Sequence, residues 1–210
     1  MKKIVSLLVM VALPFFASAA KYTEGKHYTK ISEVTSSKKE VREYFSFYCP
    51  ACFNFESIIA GVKKQLPEEV DFEYNHVDFL RAASPDIQFM LSKAAVVADQ
   101  LGMQKKLMGA IFKYLQVQRA PITSEKDIRN IFVLNGVDGE KFDKLMKSFS
   151  VNSKAKQMKK NQTDLTNRGV LSGVPTLVVN GKYRINNREL DRNDVEKDLN
   201  NLIEYLLTLD

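Results

Sequence analysis

The stretch Glu43-Tyr44-Phe45-Ser46-Phe47-Tyr48-Cys49-Pro50-Ala51-Cys52 decides how the chain is read. It holds the only two cysteines among 210 residues, three positions apart. Val41, Glu43, Phe45 and Phe47 alternate with Arg42, Tyr44, Ser46 and Tyr48. Both sets carry aromatics, the pattern of an interior strand. Pro50 suits the first position of a helix, where its missing N–H would have no partner anyway. Cys49 is then the N-cap. Cys52, Phe55, Ile59, Val62 and Leu66 follow at helical spacing, and Pro67 ends the run. This phase makes the thiols unequal: Cys49 is expected exposed at the helix mouth, and Cys52 one turn in, facing the core.

In disulfide exchange a thiolate is both the attacking and the leaving species. A helix N-terminus offers unpaired N–H groups and about half a positive charge. Donors near Ala51 and Cys52 are therefore expected to stabilise a Cys49 thiolate. Doing so stabilises the reduced pair and makes the disulfide a stronger oxidant. A purely structural bridge explains the pair poorly, because closing a four-residue loop constrains little of the unfolded chain.

Lys2 and Lys3, the apolar run from Ile4 to Phe16 and the small residues Ala17-Ser18-Ala19 read as a signal peptide over 1–19, with Ala20 as the mature N-terminus. The run is shorter than the ~20 apolar residues of a membrane-spanning helix. The mature chain is expected to be exported and soluble, in a compartment where disulfides persist. The formal charge of +6 becomes +4 when Lys2 and Lys3 leave. Lys154, Lys156, Lys159 and Lys160 carry much of the excess and read as a solvated helix face. With no recognisable binding motif, nucleic acid is not an expected partner.

Val70 to Phe79 reads as a second strand. Helical patterns follow: one capped by Ser84 before Pro85, one around Leu107 to Leu115, one begun by Ser124 with Asp127, one begun by Asp138, and a basic helix from about Ser153 to Arg168. Asn180-Gly181 between apolar residues signals a type I′ hairpin. Pro175 lacks a donor N–H and belongs at a strand start. Asp191 is expected to cap a final helix with a core face of Val195, Leu199, Leu202, Ile203 and Leu206.

This order resembles the thioredoxin fold: an α/β domain, expected over 20–81 and 158–210, interrupted by an inserted all-helical domain over 82–157. Phe45 to Cys52, the insertion, and Gly173-Val174-Pro175 leading to Val179-Asn180-Gly181-Lys182-Tyr183 resemble the DsbA family of periplasmic thiol:disulfide oxidoreductases. The resemblance implies a monomer that donates a Cys49–Cys52 disulfide to newly exported proteins, with no cofactor or metal. It also implies a quinone-linked membrane oxidase of the DsbB type as the partner that restores the disulfide. Pro175 is expected to be cis, with the Val174 backbone free to pair with an extended substrate. Glu43 matches a buried carboxylate beneath the cysteines that relays protons to Cys52; a surface charge on a strand edge is its other reading. No lysine lies in Tyr74-Asn75-His76-Val77 to partner it. His27 and His76 read as structural. A reductase or isomerase on the same fold is the nearest alternative. A zinc site is more distant, since the two histidines form no second closely spaced pair.

Pro50 and Ala51 sit between the cysteines, where they tune the redox pair. Many DsbA proteins have histidine where this chain has Ala51. Ala51→His is predicted to lower the Cys49 pKa and make the disulfide more oxidising. Ultraviolet thiolate titration and equilibration with glutathione check this; no change in either refutes it.

Overall fold

The computed structural model describes residues 21–209, and the expected signal peptide lies outside them. Strands β1 (Tyr28–Lys30), β2 (Glu40–Phe45), β3 (Asp71–His76), β4 (Thr176–Val179) and β5 (Tyr183–Ile185) form one sheet in the order β1-β5-β4-β2-β3. Only the β2–β3 pairing is parallel, and helix α1 (Pro50–Gln65) makes the crossover between them. Five helices follow β3: α2 (Pro85–Gln100), α3 (Gln104–Phe112), α4 (Glu125–Leu134), α5 (Gly139–Lys147) and α6 (Phe149–Asn167). A π-helical turn, Lys113–Val117, extends α3. The chain then returns through the β4–β5 hairpin to α7 (Val195–Leu207).

The local signals act as their chemistry requires. Cys49 caps α1 with Pro50 at the first helical position. The Ser84 hydroxyl accepts from the Ile87 N–H at 3.3 Å, and Ser124 with Asp127 forms a capping box. At the hairpin, Asn180 (φ 50°) and Gly181 (φ 64°) both take the left-handed conformation a type I′ turn demands. Three boundaries differ from the sequence expectation. The second strand ends at His76, because the Asp78 N–H bonds to Gln162 Oε1 of α6 instead of extending the ladder. The basic helix starts at Phe149, since Ser148 caps it by accepting from the Val151 N–H. The last helix is capped by Asp194; Asp191 instead accepts from Asn193 within the preceding turn.

Strand alternation sorts β2 between two cores. Val41 and Phe45 face α1 and α7, joining Ile59, Val62, Leu199, Leu202 and Ile203. Tyr44 faces the other way, with Val178 and with Leu165 of α6. Helix α6 runs unbroken through residue 157 and docks on β3. Lys154 pairs with Glu73 at 2.7 Å, Lys159 with Asp78 at 2.6 Å, and Asn75 Nδ2 donates to Met158 O at 3.0 Å. These two lysines of the basic face are thus tied to β3 and to the residues just after it.

Phe112 of α3 couples the inserted helices to the sheet domain. It is fully buried, and its ring lies 4.9 Å from Phe47, 5.7 Å from Phe53 and 6.1 Å from Phe45. Truncating such a ring leaves a cavity as well as a loss of transfer energy. Phe112→Ala is predicted to cost about 3–5 kcal/mol while keeping one cooperative transition. Urea unfolding followed by far- and near-ultraviolet circular dichroism measures both.

Candidate active site

The Cys49–Cys52 pair lies where β2 hands over to α1. Cys49 has an extended backbone (φ −98°, ψ 111°), and its N–H donates to Ser46 O at 3.0 Å. Its sulfur thus sits over the first turn of α1, where the Cys52 N–H donates to Sγ at 3.2 Å. This bond meets one of the helix donors that have no partner within the helix. The Cys52 thiol, 1% exposed, faces the core as its phase predicts.

Cys49 is not exposed as expected: it is only 7% exposed. The cause is the loop before β4. The Val174–Pro175 peptide is cis, and the Val174 carbonyl comes to 3.4 Å from Cys49 Sγ, accepting from the thiol in its protonated form. Thr176 Oγ1 donates to Gly173 O at 2.8 Å, and Asn187 Nδ2 donates to Pro175 O at 3.0 Å, fixing the loop on both sides. Pro50 and Ala51 remain exposed beside the sulfur. Gln116 of the π-turn donates to Phe47 O at 2.7 Å, tying the inserted helices to the segment between β2 and Cys49.

These contacts drive the two thiols apart. Hydrogen bonding from the Cys52 thiol, joined by the backbone N–H groups of Cys52 and Ala51, lowers the Cys49 pKa to about 6 against the opposing effect of burial. Cys52 is pushed upward, first by its bond to the Cys49 sulfur and then by burial. Only Cys49 is therefore a thiolate near neutral pH.

Glu43 lies beneath this pair, on a strand flanked by β3 and β4, so it is not on a sheet edge. It is 0% exposed, and neither carboxylate oxygen has a hydrogen-bond partner among the described residues. Burial raises its pKa well above the usual carboxylate range, Glu56 and Cys49 add to the rise, and Lys63 opposes it. Glu56 and Lys63 come from α1 and were missed in the sequence. Glu56 falls four residues after Cys52, on the same helix face, a spacing that could have flagged it. Burial brings its pKa up to about 7, with Lys63 again opposing. Lys63 Nζ bonds Gln104 Oε1 at 2.8 Å and lies 4.7 Å from the centre of the Tyr74 ring. The cation near Glu43 is thus supplied by the helix rather than by strand residues 74–77.

The histidines lie apart from this chemistry. His76 Nδ1 is 2.9 Å from Ser92 Oγ, and burial holds its pKa down at about 3. His27 Nδ1 accepts from the Thr23 N–H at 2.9 Å. Among the described residues, no group of three or more histidine, cysteine, aspartate or glutamate side chains could hold a metal ion.

Comparison with known proteins agrees with this geometry. A profile of the DSBA-like thioredoxin domain matches residues 40–196. The thiol:disulfide interchange protein DsbA of Pectobacterium carotovorum is 37% identical, over 99% of each chain. The crystal structure of the disulfide oxidoreductase DsbA from Proteus mirabilis superposes with a TM-score of 0.80 at 33% identity, covering 91% of this chain and all of the other. That relative has also been solved with a non-covalently bound peptide, PWATCDS, at a TM-score of 0.79 and 33% identity, covering 90% of this chain and all of the other. With the strand–Cys-Pro-Ala-Cys–helix junction, the cis-proline loop and the helical insertion in place, the chain belongs to the DsbA-like thioredoxin-domain family.

Proposed function

We propose that the chain is a protein thiol:disulfide oxidoreductase that donates its Cys49–Cys52 disulfide to exported proteins. The observation that carries this is the inequality of the two thiols. Cys49 is depressed to about 6, whereas Cys52 is raised and buried. A stabilised Cys49 thiolate is a good leaving group and favours the reduced enzyme, so the disulfide tends to be given away.

The cycle balances in two exchanges. A substrate thiolate attacks Cys49 Sγ, the Cys49–Cys52 bond breaks, and Cys52 leaves and takes up a proton. A second substrate thiolate then attacks the substrate sulfur of the mixed disulfide and expels the Cys49 thiolate. Two electrons pass from the substrate dithiol to the enzyme. The proton taken up by Cys52 comes from Glu43, whose raised pKa keeps it protonated until the leaving thiolate needs it. Cys52 in turn resolves adducts that find no second substrate thiol. Val174 and Pro175 form the wall against which an extended substrate segment lies. The cysteine-containing peptide held by the P. mirabilis relative supports a peptide-binding surface of this kind.

The reading places the mature chain in the periplasm, after removal of residues 1–19, with a DsbB-type quinone-linked membrane oxidase returning it to the disulfide state. Among the described residues, no helix is long and apolar enough to cross a membrane. The division into a thioredoxin-like part over 20–81 and 158–210 and an inserted helical part over 82–157 belongs to the same proposal.

Oxidative refolding of a reduced, unfolded disulfide protein tests the function. The oxidised wild type is predicted to restore client activity and Cys49→Ser to give only the buffer rate. Cys52→Ser, with Cys49 first converted to its mixed disulfide by oxidised glutathione, is predicted to exchange onto the client and accumulate an enzyme–client mixed disulfide visible on non-reducing gels. Glu43→Gln is predicted to slow exchange without abolishing it. Equal refolding by wild type and Cys49→Ser refutes the reading.

A further inference from the structure

Beside Cys49 a groove of about 820 Å³ opens between the Val174–Pro175 loop and the turn after β5. It shares Ala51, Val174 and Pro175 with the reactive centre, so whatever fills it lies against a segment exchanging with Cys49. Its far wall is cationic. Alternation along β5 turns Tyr183 and Ile185 into the core and brings Arg184 out to the groove. Arg188, in the short 3₁₀ turn that follows, lies in the open on the same wall.

The hydrogen bonding of this wall is incomplete. Arg184 Nη1 donates to Val170 O at 3.0 Å, but its buried Nε has no partner among the described residues. Asn187 spends its Nδ2 on Pro175 O, and its Oδ1 is left without a donor. Unpaired buried groups of this kind are costly, and most costly when charged. The one carboxylate in the lining is Glu189, and among the described residues neither arginine takes part in a salt bridge. The wall therefore offers guanidinium donors that no carboxylate pairs with. A peptide segment carrying a carboxylate meets them, and arginine is the cation best matched to a carboxylate in geometry.

We propose that Arg184 and Arg188 make this groove selective for substrate segments with an acidic residue within two positions of the reacting cysteine. This rests on the thiol-exchange reading, whose substrate class it narrows. Selection acts before chemistry: the carboxylate meets the arginines while the substrate cysteine is held against Cys49.

Calorimetric binding to the Cys49→Ser chain tests selection without exchange, so the inference and the disulfide-donor reading fail separately. The probes are the peptide PWATCDS and its counterparts with asparagine or lysine in place of aspartate. The aspartate peptide is predicted to bind about fivefold tighter than the asparagine one, with lysine weakest, and the advantage is predicted to shrink as salt rises. In the same background, Arg184→Gln with Arg188→Gln brings the aspartate-to-asparagine ratio to about one. Arg188→Gln alone, at an exposed position, lowers that ratio without touching the Arg184 bond to Val170. Equal affinities for the aspartate and asparagine peptides, a preference for lysine, no binding of any peptide, or an unchanged ratio in both variants overturns the proposal.

Discussion

The hydrogen bond from the Cys52 N–H to Cys49 Sγ, 3.2 Å long, is the contact on which the rest of the site depends. It requires Cys49 at the N-cap, and hence a helix that begins at Pro50. It requires β2 to end where it does, so that the chain turns over the top of the sheet and the sulfur meets the first helical turn. It also requires the three-position spacing, which puts the second thiol one turn inside, on the buried face. A protein that relied on the pair only as a staple would gain little from any of this, because so short a loop constrains the unfolded chain weakly.

Around that bond the protein sets two opposed environments. At the helix mouth, donors converge on Cys49 and lower its pKa. Beneath it, Glu43 and Glu56 sit in a region where burial favours their neutral forms. Burial penalises the charged form of Glu43 and so favours the neutral carboxyl. The pH signs follow. A raised carboxyl such as Glu43 adds stability that is present at low pH and lost as pH rises through its folded pKa. The depressed Cys49 thiol adds stability to the reduced form that is present above the ordinary thiol range and lost as pH falls through about 6. Between those limits the site holds one thiolate and a reserve of protons.

Much of this is local and was legible in the residues. The cap at Cys49, Pro50 at the first helical position, the burial of Cys52 and the Asn180-Gly181 hairpin each depend on neighbours a few positions away. What escaped depends on distant parts of the chain. Cys49 is covered by Val174, 125 positions on, and nothing near Cys49 signals that cover. Lys63 reaches the Glu43 region from a helix, so a search of the facing strand could not find it. Arg184 looks like an ordinary outward residue of a short strand until the turn after it folds back beside Pro175. The cis state of Val174–Pro175 was reached through family resemblance, since local chemistry alone favours trans.

At neutral pH the start of α1 holds Cys49 as a thiolate. Titrating the ultraviolet thiolate absorbance of the reduced protein measures it most directly, with Cys49→Ser as the blank. A single-thiolate step with a midpoint of about 6, absent from the variant, is the expected result. A midpoint at the ordinary cysteine value of about 8.5, or a low-pH step that survives in Cys49→Ser, would contradict it.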